Sequence, residues 1–315
     1  MHRLLAPLLS AAAAHAALTV SILTIEGDNV EGATTNKKVV VKVNGTRREL
    51  SLDKVLSIHS GVPASASETA RIDAGILAIQ GMDRPLRDSA VEDLTDLGIP
   101  VMTPLLKAYK DTDAHEPRPL YRLFARIIPS AADQLDRSLT LVRLASGEML
   151  RGEIEPADWD LGGRKIASTS VRRVAVRQRA VSRKVDVDSL AHCNQIEYFD
   201  TGILETASSR TDSTAGGFTR LSWNTDDWTS NPDGLKKPAG NYKTNLVNGH
   251  PFGALVGRLG ARGTMFVLGT KFGNEGVGPG RLYLAINDNP HWQNNLGSYR
   301  VSLRVTDAYD VGEPR

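Results

Sequence analysis

A single cysteine, Cys193, stands in 315 residues. No disulfide can close within one chain, and no thiolate zinc site can form in it, so stability must come from packing or bound ions. An excess of charge of one sign is lacking too. The 38 Lys and Arg nearly balance the 36 Asp and Glu, and a net of +2 argues against nucleic acid as the main partner. After the first residues, no apolar run is long enough to span a bilayer. There is no Gly-x-Ser-x-Gly elbow, HExxH helix or phosphate loop. The Gly-rich stretch Gly276-Val277-Gly278-Pro279-Gly280 lacks the Lys and the following helix that phosphate binding requires. Asp226, Asp227 and Glu275 could supply paired carboxylates for glycoside hydrolysis, but nothing fixes their spacing and surface turns favour acids anyway. The chain therefore reads as a non-enzyme.

What is present begins at the N-terminus. His2 and Arg3 give a positive start, Leu4 to Ala14 an apolar run, and Ala14-His15-Ala16 a small-x-small cleavage pattern. That layout is a secretory signal peptide over residues 1–16, cleaved near Ala16, and it predicts a secreted or periplasmic protein. The bland alternative is a buried N-terminal helix. An apolar fraction of 41% is ordinary for globular chains, and the length implies two or three domains.

Residues 17–187 read as a domain of repeated β units, 18–60 and 138–180, around a helical insertion at 65–130. In the first unit Leu18 to Ile25 is β-branched and apolar, Asn44-Gly45 is a hairpin signal, and the strand pattern runs on from Leu50 to Ile58. In the second, Met149-Leu150-Arg151-Gly152 resembles Asn29-Val30-Glu31-Gly32, and Ile166 to Val176 echoes Leu50 to Ile58. Neither unit can bury a core alone, so the two are expected to pair into a small barrel, SH3-like in character. The insertion shows helical spacing at Ile72, Ile76 and Ile79, with Ser67 as its expected N-cap, and again over Asp83 to Leu97, stopped by Gly98 and Pro100. Val101 to Tyr109 and Tyr121 to Ile128 read as further helices. The run Asp83-Arg84-Pro85-Leu86-Arg87-Asp88-Ser89-Ala90-Val91 resembles one HEAT-type repeat. A lone repeat must lean on something, here the β units. Arg164 to Lys184 carries eight cations and no acid. It reads either as a site for an acidic polymer or as the solvated face of an edge strand.

Residues 188–315 change character. Helical periodicity vanishes, and strands are expected at 196–203, 218–223, 254–259, 265–268, 282–286 and 299–305, which implies an antiparallel β-sandwich. The predicted class is mainly β with a helical insertion. The densest oxygen cluster runs from Asn287 to Ser298, with Asp288, Asn289, Asn294 and Asn295 between two strands. Calcium takes six to eight oxygens on a loop that can wrap it. Asn-rich hairpin loops also arise simply because Asn tolerates left-handed backbone.

Phe252-Gly253-Ala254-Leu255-Val256-Gly257-Arg258-Leu259-Gly260, Leu282 to Asn289 and Asn294-Asn295-Leu296-Gly297-Ser298-Tyr299 resemble the bacterial soluble galactose-binding lectins. Trp228 to Pro232, Pro238-Ala239-Gly240 and Tyr198 to Ile203 fit earlier parts of the same pattern, so the resemblance covers about 195–305. It implies a jelly-roll, galactose-binding-like sandwich in which calcium bridges the protein and two sugar hydroxyls. It also implies ligands: the side chains of Asp288, Asn294 and Asn295, a carbonyl from His291 or Trp292, and a carbonyl near Asn231. From their chemistry, Trp292 reads either as stacking on the sugar ring or as capping the sandwich core, and His250 either as donating to a sugar hydroxyl or as merely solvated, while Trp223 is expected in the core. The pattern departs in two places. The 288–294 loop is one residue short, and 241–251 lacks the His and Gln that touch galactose, which leaves sugar identity open. The expected partner is a galactose-like carbohydrate, with homo-oligomerisation open. Two rival readings are a structural sandwich that has lost sugar binding and a glycoside hydrolase or its accessory.

Overall fold

The computed structural model describes residues 17–81, 83–111, 120, 123, 139–155, 158–193, 197–221, 228–235, 250–275, 278–288 and 295–314. The signal segment and, apart from Leu123, the expected helix at 121–128 lie outside them. Among the described residues no helix is long and apolar enough to cross a membrane.

The first β unit has five strands: β1 (Leu18–Thr24), β2 (Asn29–Thr34), β3 (Lys38–Val43), β4 (Thr46–Ser51) and β5 (Val55–His59). Asn44 and Gly45 join β3 to β4 with φ of 48° and 80°, the two left-handed residues that this tight hairpin demands. The strand expected from Leu50 to Ile58 is broken by a 3-10 turn at Leu52–Lys54, which drives Leu52 fully into the core. Three helices follow: α1 (Ala66–Gln80), α2 (Arg84–Leu97) and α3 (Met102–Asp111). Ser65, not the expected Ser67, caps α1. Its hydroxyl accepts the Glu68 N–H at 3.2 Å while the Glu68 carboxylate accepts the Ser65 N–H at 2.9 Å, and only a serine three residues before a glutamate closes this box. The second unit is β6 (Thr140–Leu144), β7 (Met149–Ile154), β8 (Trp159–Leu161), β9 (Arg164–Ile166) and β10 (Val171–Asp188), with a 3-10 turn at Ser168–Ser170 in the place of the first unit's turn.

The two units exchange their opening hairpins. β1 pairs with β10, and β6 with β5. β2 lies against β8, where the Thr35 N–H donates to Asp160, and β7 pairs with β3, where the Glu155 N–H donates to Val40. β5 and β10 then meet antiparallel with Ile58 opposite Val174. Each is the fourth residue of its strand, so an approximate two-fold passes between them. One core serves both units and includes Val20, Ile22, Val41, Leu52, Val142 and Val171. Gly152 is required by the exchange: a Cβ there would sit 2.4 Å from the Lys42 carbonyl of β3.

The sandwich comprises β11 (Phe199–Glu205), β12 (Arg210–Arg220), β13 (Thr229–Ser230), β14 (Leu255–Leu259), β15 (Met265–Val267), β16 (Lys271–Glu275), β17 (Gly280–Ile286) and β18 (Leu296–Asp310). One layer runs β16-β12-β18 and takes in the second half of β10; the other runs β15-β14-β17-β11, and the two join where Ile203 and Leu204 of β11 pair with Asp310 and Tyr309 of β18. β12 starts at Arg210, well before the expected 218, and β16 was not expected at all. Both are rich in Ser, Thr, Gly and Asn, which carry little hydrophobic alternation. β10 links the two folds. Residues 171–176 pair with β1, and residues 177–188 pair with β18. Val181, Val185 and Val187 enter the sandwich core, and the expected division at 187/188 falls at the end of this strand.

This placement divides the basic stretch into a buried part and an exposed part. Arg172 and Arg173 are buried, on a strand flanked on both sides. Arg172 grips Glu68 of α1 with two nitrogens, both side chains fully buried, and also donates to the carbonyls of Val62 and Pro63. Arg173 pairs with Asp96 of α2. Arg164 and Lys165 on β9 are exposed, and so, beyond residue 177 where β10 pairs with β18 alone among the described residues, are Arg179 and Lys184, as an edge requires. Asp96 also holds Arg281 of β17 at 3.1 Å, and the Glu92 carboxylate accepts the Ala261 N–H. The apolar face of the helices makes its own core with Ile72, Ile76, Leu94 and Leu105, while the acidic face of α2 meets arginines of both β folds. That is how the helical insertion is held.

Candidate functional site

Two of the expected ligands, Asp288 and Asn295, meet at the end of the sandwich where β17 leaves and β18 begins. Asn287, the first residue past β17, is fully buried. Its side-chain amide donates to the carbonyls of Pro251 at 3.1 Å and His250 at 3.4 Å. Its backbone exchanges bonds with the same turn, donating to Ala254 and accepting from Gly253, both at 2.8 Å. Asn287 therefore locks the 250–254 turn beside Asp288. His250 is exposed on that turn.

Asp288 and Asn295 face each other across the two ends of the loop, 5% and 3% exposed. The Asn295 amide nitrogen donates to Asp288 Oδ2 at 2.5 Å and to the Ser189 carbonyl at 3.0 Å. Ser189 is held in turn by its N–H and hydroxyl, which both donate to the Gly297 carbonyl. Both amide protons of Asn295 are thereby engaged. Its Oδ1 is buried and has no hydrogen-bond partner among the described residues. A buried carbonyl oxygen left in that state costs about 1–3 kcal/mol. Two hard oxygen groups from different ends of a loop, a carboxylate and an amide oxygen lacking a donor among the described residues, suit a calcium ion better than a softer metal. Among the described residues no three His, Cys, Asp or Glu side chains cluster, so a site here must be built mainly from amides and carbonyls.

Asn231 lies in the turn after β13. Its carbonyl accepts the Ser230 hydroxyl at 2.8 Å and the Gly234 N–H at 2.9 Å, and stands 2.7 Å from the Tyr299 hydroxyl. Two lone pairs facing three donors are filled, so a ligand carbonyl from this turn would have to belong to a neighbour. The Tyr299 hydroxyl also lies 2.7 Å from the Gly253 carbonyl and 3.0 Å from the Thr219 hydroxyl. Burial pushes its ionisation up, which keeps it a donor. It ties the 229–234 turn, the 250–254 turn and β12 together at one end of the sandwich. Trp228 packs edge-on to Phe252, ring centres 6.4 Å apart. His291, Trp292 and Asn294 lie outside the described residues, as do Trp223, Asp226 and Asp227.

Three residues that shape this end are missing from the sequence reading. Asn287 belonged to the oxygen cluster, but its role as the lock of a distant turn did not follow from spacing. Tyr299 was legible as the start of a strand and not as the anchor of two turns. Ser189 lies 106 residues from Asn295 and carries no signal.

No family model matches the chain, and no curated protein matches it. A solved structure described as an EclA N-terminal domain and PllA-like lectin is similar to this chain at 19% identity and a TM-score of 0.30, over 40% of this chain and 96% of that one.

Proposed function

We propose that the sandwich is a non-catalytic, calcium-dependent carbohydrate-binding module of a secreted protein, carried on the exchanged β units and their helices. One observation carries this: the buried Asn295 Oδ1, without a partner among the described residues and set beside the Asp288 carboxylate at the mouth of three tied loops. In this reading Asp288 and Asn295 hold the ion together with Asn294 and a carbonyl of His291 or Trp292, and a carbonyl from the Asn231 turn adds to them. Bound there, calcium supplies a double positive charge whose open positions accept adjacent hydroxyls of a neutral, galactose-like sugar. Asn287 and Tyr299 position the loops. His250 reaches the sugar from the neighbouring turn, and Trp292 stacks on its ring.

Calorimetry on the intact chain tests this. A panel of monosaccharides titrated with calcium should bind, with Kd roughly micromolar to millimolar because few groups converge at an open mouth. Chelator should abolish the heat. Binding that survives chelation would place the sugar elsewhere. Calcium uptake with no sugar bound would turn the reading to a structural sandwich.

A further inference from the structure

A second site lies where the barrel meets the sandwich. A cleft of about 360 Å³ opens there, lined among others by Arg143 of β6, Glu148, Gln178 and Arg183 of β10, and Asp310 and Glu313 at the C-terminal end. That is the lower end of the roughly 300–1,000 Å³ of small-molecule sites. Arg143 is buried; one of its terminal nitrogens bonds Asp310 Oδ1 at 2.8 Å and the other Glu313 Oε1 at 2.7 Å. Arg183 bonds the remaining Asp310 oxygen at 2.6 Å. Its other terminal nitrogen donates to the Ser182 carbonyl, and its Nε is buried with no partner among the described residues.

The charges do not balance within the buried part. Two guanidiniums share one buried carboxylate, Asp310. The second carboxylate, Glu313, comes from the tail past β18 and is 47% exposed. A half-exposed ion pair is weak because water and salt screen it. Glu148, across the cleft, is paired with Arg48 at 3.0 Å and contributes no free charge.

We propose that this cleft binds a small carboxylate-bearing ligand of monosaccharide size, a sugar acid or its chemical equivalent, and that Glu313 occupies the carboxylate position in its absence. The ligand's carboxylate takes the Arg143 nitrogen now facing Glu313, beside the Arg183 guanidinium that also lines the cleft; its hydroxyls meet Gln178 and Glu148. Arginine suits this role because its planar fork presents paired donors to a carboxylate. The tail is then a tethered competitor, and ligand binding releases it.

Titration of the intact chain with sodium glucuronate, in chelator and with glucose as the neutral control, tests this. Glucuronate should bind and glucose should not. Glu313→Gln should tighten glucuronate by about three- to tenfold, since it removes the competing charge and leaves Arg143 half open. Arg183→Ala should weaken binding at least tenfold. Asp288→Ala should leave it unchanged, which separates this site from the calcium site. No glucuronate heat with either the wild type or Glu313→Gln, equal binding of glucose, or weaker binding by Glu313→Gln would each overturn the proposal. Because Glu313 is exposed, its variant folds whether or not Arg183→Ala does.

Discussion

Asp288 is the one carboxylate among the proposed calcium ligands, so it supplies the main Coulomb attraction. Calcium should raise the melting temperature of the wild type by mass action, and Asp288→Ala should abolish that rise. Equal shifts in both proteins would remove Asp288 from the site. Glu205 makes a different case. It is 2% exposed, receives the Thr211 hydroxyl at 2.6 Å on one oxygen, and has no partner on the other among the described residues. Burial pushes its carboxyl up to about 7. A raised acid stabilises the fold fully below the pKa of the unfolded chain, and this contribution disappears as pH rises through the folded value. Wild-type stability should therefore fall between about pH 5 and 8, by up to about 3 kcal/mol from this group. Glu205→Gln, which keeps the shape without the charge, should flatten that slope in denaturant titrations at several pH values. Parallel slopes for the two proteins would mean that Glu205 is ionised and otherwise paired. His59 acts at the other end of the scale. Burial and the nearby Arg173, Arg143 and Arg281 hold it down from 6.5 to about 3, so its contribution is fully present above about pH 6.5 and is lost progressively as pH falls toward 3.

Among the elements, β10 carries the most. We place the start of an independent sandwich at Arg177, where β10 begins to pair with β18, and not at residue 188. A fragment of 177–315 should unfold cooperatively. One of 188–315 lacks Val181, Val185 and Val187, each worth about 1.5–3 kcal/mol of burial. Those losses rival a whole domain's stability, so the shorter fragment should show no cooperative transition. Equal melting of the two fragments would return the boundary to 188. At the other end of the strand, Arg172→Ala would strand the Glu68 carboxylate in a fully buried pocket. The expected loss is about 3–5 kcal/mol. A loss below 1 kcal/mol in urea titration would mean that water reaches Glu68. Hairpin residues, helix stops and the apolar strands of this molecule were legible because turn chemistry and hydrophobic period are local. The fate of the β10 arginines was not. An arginine on an edge and an arginine under a helix look alike until Glu68 and Asp96, more than 70 residues away, are in place. The same limit applies at the candidate site. Asp288 and Asn295 were visible as oxygen-bearing loop residues, whereas their contact and the Ser189 carbonyl that orients Asn295 exist only in the fold.

At the scale of the whole molecule, the acidic face of α2 holds barrel and sandwich together through Asp96, with Arg173 on one side and Arg281 on the other. The exchange of hairpins has a consequence for how the chain comes to be. β1 and β2 leave the ribosome first, but the strand that completes their sheet, β10, begins about 150 residues later. At 5–20 residues per second the opening hairpin waits on the order of ten seconds with its apolar side uncovered. A polypeptide delivered unfolded through a membrane would avoid closing it prematurely. The near two-fold at Ile58 and Val174 also means that each half resembles one member of an interlocked pair. Two halves made as separate chains should therefore recognise each other: 17–111 and 139–315, each incompletely ordered alone, should regain the native circular dichroism when mixed. An ancestor carrying one such β unit would have existed as a dimer, and joining two copies in one chain would have turned an encounter between molecules into a property of one.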